Sequence, residues 1–299
     1  MNMNNEKGFR PNSVSKGPWS SLKVDLGASS HSGHVRENNE DSYLVMRFGR
    51  SLENLLTNLE EDLLEENYAM KGYGMLVADG MGGAAGGELA SRFALGKLVE
   101  LIIDTSDWTL SLQRREDVTT VLRRMTERFL EIDDTLRKEA DRDHTLRGMG
   151  TTLTVAGVMG NDLIIGHVGD SRAYVLRDTD LKQLTTDHTL AQALIDAGVA
   201  NRDDPASRSM RHVLTAAVGS LGEKSVPQVQ LFKLSDDDQL LLCTDGLTET
   251  IEDATIADVL REAKSAQFAC DELVNLALAG GGLDNITVVV ARFISLDGE

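Results

Sequence analysis

Cysteine is nearly missing from this chain: Cys243 and Cys270 are the two in 299 residues. They are too few and too far apart for a disulfide framework, and Cys243 lies inside an apolar run, so a reducing cytoplasm is the simplest setting. Positive charge is scarce as well, with 30 Lys and Arg against 48 Asp and Glu and a net charge of −18. That balance excludes the broad basic surface a nucleic-acid backbone requires. No apolar run approaches the ~20 residues needed to cross a bilayer. The opening stretch MNMNNEKGFRPNSVSKGPWS lacks the apolar core of a signal peptide. These absences predict a cytoplasmic protein without a membrane span or a nucleic-acid partner, and a loosely ordered tail over residues 1–20.

What is present is ordinary for a folded domain: 41% hydrophobic and 26% charged residues exclude wholesale disorder. No internal repeat or domain break interrupts residues 21–299. Leu22 to Ser30 and Ser42 to Phe48 read as strands, with the polar run HSGHVRENNED between them. The leucines from Leu52 to Leu64 share one helical face, so Ser51 to Glu66 reads as an amphipathic helix or a helical excursion. Met75 to Gly87, MLVADGMGGAAGG, is an apolar strand ending in Asp79-Gly80 and a glycine run. Two helices follow without a strand between them, one to about Asp104 and one spanning Val118 to Leu136.

From Gly150 to Leu184 three short strands, TTLTVAGVM, DLIIGHV and SRAYVLR, are separated by turn compositions too short for anything but antiparallel pairing. Asp187 to Val199 reads as a helix and NRDDPASRSMR as an exposed loop. Val229 to Leu234 and Gln239 to Cys243 read as strands, Ala254 to Lys264 and Ala266 to Leu278 as helices, and Asn285 to Phe293 as a β-branched closing strand. Strands grouped with strands and helices paired with helices predict an α+β domain of two antiparallel sheets with helices outside.

The chemistry-bearing residues are acidic and sit at strand ends. Asp79 ends MLVAD, Asp245 follows LLLCT, Asp284 precedes NITVVV, and Glu40-Asp41 stands before the second strand. Their motifs contain no histidine or cysteine. Oxygen-only ligands suit a hard cation such as magnesium or manganese better than zinc. Mutual repulsion in such a cluster would be offset by a pair of cations. A rival lies in Gly80 to Ala85, which satisfies G-x-G-x-x-A as in a dinucleotide-binding turn. That fold needs a parallel strand after the helix, whereas a second helix follows here, and it leaves Asp245 and Asp284 without a role.

The motifs Arg36-Glu37-Asn38-Asn39-Glu40-Asp41, Asp79-Gly80-Met81-Gly82-Gly83, Gly150-Thr151-Thr152, Gly169-Asp170-Ser171-Arg172, Thr244-Asp245-Gly246 and Asp284-Asn285-Ile286-Thr287 occur in this order. In that ordered set, over roughly Leu22 to Phe293, the chain resembles the metal-dependent serine/threonine protein phosphatases of the type-2C (PPM) family. His188-Thr189-Leu190 and the segment through Leu214-Thr215 resemble its bacterial branch. The resemblance implies a four-layer α-β-β-α sandwich of two antiparallel sheets flanked by helix pairs. It implies one phosphatase domain over 21–299, a flap at about 186–214, and hydrolysis of phosphoserine and phosphothreonine monoesters.

Carried over by motif, Asp79 would bridge two Mn2+ or Mg2+ ions per subunit. Glu40 and the Gly80 carbonyl would complete one site, Asp245 and Asp284 the other. Asp41 would accept from metal-bound water, Asp170 with Asp245 would hold a third, weaker ion, and Arg36 would hold the substrate phosphate. Two cations about 4 Å apart can lower the pKa of a bridging water and deliver hydroxide in line to phosphorus, with no phosphoenzyme. The forked guanidinium of Arg36 suits the growing phosphoryl charge. Met81 departs from the many eukaryotic members that carry a histidine there for leaving-group protonation, which leaves that proton to water or to a ligand of the third ion. His167 and His188 lie outside the metal motifs and read as structural. Implied partners are phosphorylated proteins, products of a cognate Ser/Thr kinase, in a signal-transduction role, and the domain is expected to be a monomer. A small-molecule phosphomonoesterase and a catalytically silent binding module are the other readings.

Overall fold

The computed structural model describes residues 23–53, 67–82, 86–104, 115–201, 204, 207, 209–220 and 224–294. The predicted tail over residues 1–20 lies outside them. Eleven strands and six helices form among the described residues. One sheet contains β1 (Lys23–His31), β7 (Arg172–Arg177), β8 (Asp180–Gln183), β10 (Gln239–Cys243) and β11 (Ile286–Ile294), in the order β1-β11-β10-β7-β8. The other contains β2 (Asp41–Glu53), β3 (Asn67–Met81), β5 (Leu153–Met159), β6 (Asp162–Val168) and β9 (Gln228–Lys233), in that order, with β4 (Gly150–Thr151) added to the end of β3. All these pairings are antiparallel.

Three apolar layers make this a four-layer α+β sandwich. Along β3, Met75 and Val77 point between the sheets, where they meet Leu240 and Leu242 of β10 and Val289, Ala291 and Phe293 of β11. Leu76 and Ala78 point the other way. There they pack on α1 (Gly86–Asp104), through Ala94 and Leu98, and on α2 (Arg115–Arg142), through Phe129, Ile132 and Leu136. The outer face of the first sheet, with Val288 and Val290, packs on α5 (Asp253–Glu262) and α6 (Ala266–Ala279). Both faces of each sheet are buried, so the central strands read as continuous apolar runs rather than alternating ones. Burying one such side chain contributes about 1.5–3 kcal/mol.

Two helices are corrected. The leucine face over 51–66 does not make a helix at its start: Ser51, Leu52 and Glu53 continue β2 and pair with Ala69, Tyr68 and Asn67. Helical spacing is a local signal, and here the non-local ladder running back from the Asp41–Asp79 pair prevails. Residues 54–66 lie outside the described residues. The helix expected over Asp187 to Val199 is confined to α3 (Leu190–Asp196). Its start is set by the Thr189 side chain, which accepts from the Gln192 N–H at 3.2 Å. The preceding His188 N–H donates to the Gly169 carbonyl and holds that segment against the β6–β7 turn. Strand β8 carries too few apolar residues to have shown itself in the sequence. The dinucleotide-turn alternative falls because β3 is flanked on both sides by antiparallel strands.

Candidate metal centre at the mouth of the sandwich

Antiparallel order brings the start of β2, the end of β3, the end of β10 and the start of β11 to one end of the sandwich. Register and alternation then decide what faces inward. Asp41 stands opposite Asp79 across the β2–β3 ladder. Asp79 shares the face of Met75 and Val77, so both carboxylates cap the layer between the sheets. From the other sheet Thr244 and Thr287 face the same layer. The Thr244 hydroxyl donates to Asp41 Oδ2 at 2.8 Å and accepts from the Thr287 N–H at 3.0 Å. Just past β10, Asp245 opens the short helix α4 (Asp245–Thr248), and Asp284 stands just before β11.

Glu40 is drawn in from the loop between β1 and β2. Its N–H donates to Asn285 Oδ1 at 2.8 Å, and the Asn285 amide donates to the carbonyls of Ser32 and Asn38, both at 2.9 Å. Asn285 therefore fastens this loop to the head of β11. Ser91 of α1 donates to the Glu40 carbonyl at 2.6 Å. Glycine is required where these segments meet. A Cβ on Gly80 would lie 2.1 Å from the Gly87 carbonyl oxygen, and one on Gly87 would lie 2.7 Å from Glu40 Oε2. Asp79 is held by its backbone: its N–H donates to Thr152 Oγ1 at 2.9 Å, and its carbonyl accepts from the Thr152 N–H at 2.8 Å.

The result is a cleft of about 920 Å³ whose lining includes Arg36, Glu40, Asp79, Gly80, Met81, Asp170, Asp245 and Asp284. The structure thus brings together every sequence-predicted metal and phosphate residue. Asp41 lies beneath them, buried. Arg36 donates through Nη2 to Asp284 Oδ2 at 2.6 Å. Among the described lining residues, only Arg36 and His212 bring a cationic or protonatable nitrogen.

So many carboxylates with so few cations have strongly perturbed protonation. Burial, followed by the nearby Asp41, Asp245, Asp170 and Asp284, holds Asp79 well above the ordinary carboxylate range. Burial does the same to Asp245, with Asp170 and Glu249 adding to it. Asp41 and Asp170 are each pushed up to about 7, again chiefly by burial. Glu40 is raised by burial in spite of Arg36. Asp41 Oδ1 and Asp245 Oδ1 are buried with no hydrogen-bond partner. Buried carboxylate oxygens that lack donors, in an all-oxygen set, fit hard divalent cations.

A family model described as protein phosphatase 2C matches residues 61–277. The chain belongs to the protein phosphatase 2C family. It is 33% identical over 276 residues to the serine/threonine protein phosphatase PstP of Mycobacterium tuberculosis, a match that covers 92% of this chain and 46% of PstP. The chain therefore spans about half the length of that relative. Protein phosphatase PhpP of Streptococcus pneumoniae is 30% identical over 278 residues, covering 92% of this chain and all of PhpP. Among solved structures, the catalytic domain of PstP in complex with two manganese ions superposes with a TM-score of 0.70 at 31% identity, covering 92% of this chain and 100% of that one.

Other residues of this protein phosphatase 2C member fall away from the cleft. His167 is buried, accepts at Nδ1 from the Thr154 hydroxyl at 2.9 Å and donates from Nε2 to the Thr186 carbonyl at 3.2 Å. Burial pushes it down to about 3. It stands 5.0 Å from the His188 ring, and neither histidine lines the cleft. The sequence reading missed His212 and Glu249, which do line it. The Asp245–Glu249 spacing of four was the available signal for Glu249, since on one helical turn it places both on the same face.

Proposed function

We propose that this chain is a metal-dependent protein phosphatase that hydrolyses phosphoserine and phosphothreonine monoesters directly, without a phosphoenzyme. The observation that carries the reading is the convergence of Glu40, Asp79, Asp245 and Asp284 around one cleft beside Arg36, with buried carboxylate oxygens that lack donors. Resemblance to a catalytic domain solved with two manganese ions supports it.

Asp79 would be shared by two ions, with Glu40 and the Gly80 carbonyl serving one and Asp245 and Asp284 the other. When bound, Mn2+ or Mg2+ supplies Lewis acidity, making water a competent nucleophile near neutral pH and drawing charge from the phosphoryl oxygens. Arg36, on the exposed rim, receives the substrate phosphate through its fork. Its present partner Asp284 would release it on serving as a cation ligand. Asp41, fixed by Thr244, presents its free Oδ1 as an acceptor for a water proton. Among the described lining residues there is no serine or cysteine nucleophile. The Thr152 hydroxyl is engaged by Ser171 and by the Asp79 N–H. In this reading water is the nucleophile. Met81 offers no proton to the leaving serine or threonine, which takes it from water.

The substrates are phosphorylated proteins made by a Ser/Thr kinase, and the setting is the cytoplasm. Both thiols, Cys243 and Cys270, are free, and burial pushes each up to about 12. Among the described residues no helix is long and apolar enough to cross a membrane. The experiment is phosphate release from phosphothreonine and phosphoserine peptides and from small phosphate esters in excess manganese. The proposal expects turnover of the peptides that collapses in Asp79→Asn. Wild-type turnover no greater than that of Asp79→Asn would overturn it.

A further inference from the structure

The two loops that carry Arg36 and Asp284 are polar but for one residue each. Between β1 and β2 the chain reads SGHVRENNE, where Val35 is the one apolar side chain, and between α6 and β11 it reads GGGLDN, where Leu283 is the one. The His34 N–H donates to the Gly282 carbonyl at 2.7 Å, and Arg36 reaches Asp284 at 2.6 Å. These two ties bracket Val35 on one loop and Leu283 on the other, so the pair stand side by side. The loops also fit too closely to slide. Gly33 sits in the left-handed region at φ +78°, and a Cβ there would lie 2.3 Å from the Asp284 carbonyl oxygen and 2.6 Å from that of Gly282. Yet Val35 is 63% exposed and Leu283 58%. Two adjacent aliphatic side chains, held rigidly at the rim of an acidic cleft, are left for something outside the chain to cover.

We propose that Val35 and Leu283 form an apolar shelf beside Arg36 that receives an aliphatic side chain two positions from the phosphoserine or phosphothreonine of a bound phosphopeptide. This names a substrate class for the phosphatase reading above and rests on it. Leu283 lines the cleft together with Arg36 and Asp284, and Val35 directly precedes Arg36, so the shelf is continuous with the place where the phosphate is held. A peptide crossing the mouth in extended form turns alternate side chains to the same side, about 7 Å apart. The residue two places from the phosphoresidue therefore reaches the rim as the phosphate enters at Arg36. An aliphatic side chain there leaves water against Val35 and Leu283, whereas a serine gains nothing from aliphatic neighbours. Small phosphate esters have no such residue, so the shelf discriminates only among peptides.

The test measures turnover by the full chain, in excess manganese, of phosphothreonine peptides carrying leucine or serine at the second place before or after the phosphoresidue. Fluorescence anisotropy reads binding of the same peptides as non-hydrolysable phosphonates. Leucine at one of these places should raise kcat/KM and tighten binding by about 10-fold over serine, the low end of what one methylene is worth in an apolar pocket. The double variant Val35→Ser with Leu283→Ser should abolish that ratio, and Val35→Ile with Leu283→Met should keep it. A preference that survives in the double serine variant, or a loss there that falls equally on leucine and serine peptides, would overturn the inference. Turnover by the wild type with no preference at either place would also overturn it while leaving the phosphatase standing. Phosphonate peptides bound with the preference, beside phosphopeptides that are never hydrolysed, would uphold it and remove the phosphatase instead.

Discussion

Stripping divalent ions with a chelator leaves Asp41 and Asp170 buried among other carboxylates, and both are held at about 7 in the folded chain. In an unfolded chain an aspartate titrates near 3.9. Between pH 5 and 6 these two groups therefore hold about two more protons in the folded, metal-free protein than in the unfolded chain. The sign follows: this stabilisation is fully present below about pH 4 and is lost as the pH rises toward 7. Each excess proton contributes a slope of about 1.4 kcal/mol per pH unit, so the two remove about 3 kcal/mol over that unit. At roughly 2–4 °C per kcal/mol for a domain of this size, Tm should fall by about 6–12 °C. Asp79 and Asp245, also raised well above the ordinary range by burial, act in the same direction. Scanning calorimetry in chelator across pH 5 to 6.5 measures the slope. The double variant Asp41→Asn with Asp170→Asn should flatten it by those two protons. Excess manganese should reverse it, because ligand carboxylates must lose their protons to bind a cation. A metal-free Tm that stays level or rises with pH over this range would refute the reasoning.

Arg36→Ala removes the one guanidinium among the described residues lining the cleft, and its 2.6 Å pair with Asp284, so KM for phosphopeptides should rise more than kcat falls; steady-state kinetics showing an unchanged KM would contradict that role. Gly80→Ala sets a methyl 2.1 Å from a backbone oxygen. It should destabilise the protein by about 1–3 kcal/mol and weaken manganese binding, as read by denaturation midpoint and isotherm. Thr244→Val leaves Asp41 Oδ2 and the Thr287 N–H without the hydroxyl that joins them. A loss of about 1–3 kcal/mol in chemical denaturation is expected. Asn285→Ala releases the carbonyls of Ser32 and Asn38 and the Glu40 N–H; faster amide exchange over residues 32–40 should report it.

The layers were legible because both sheets are buried on two faces: runs such as LLLC and ITVVVA have no alternative to a covered strand. The carboxylates were legible for a related reason, since an acidic residue closing an apolar strand marks the sheet's end, and in an antiparallel sandwich several ends coincide. Pairing was not legible. The ladder from Asp41–Asp79 out to Glu53–Asn67 joins residues far apart in sequence, and the leucine spacing over 51–66 spoke only for local helix. Glu249 stayed hidden because LLLCT reads as strand, whereas a new helix begins directly after Thr244. His212 had no local signal, because its place depends on how the segment around Val213 is hung from His188 and Leu190. The clamp by Asn285 is likewise a product of tertiary structure, uniting the first loop with the last strand.

The central claim, that the acidic mouth of the sandwich is a cation pair built for hydrolysis, is tested most directly by anomalous diffraction from crystals grown with manganese. Two peaks about 4 Å apart, flanked by Glu40, Asp79, Asp245 and Asp284, are expected, with neither present in Asp79→Asn. Manganese bound elsewhere, or an empty mouth in crystals of protein that hydrolyses phosphopeptides, would contradict it.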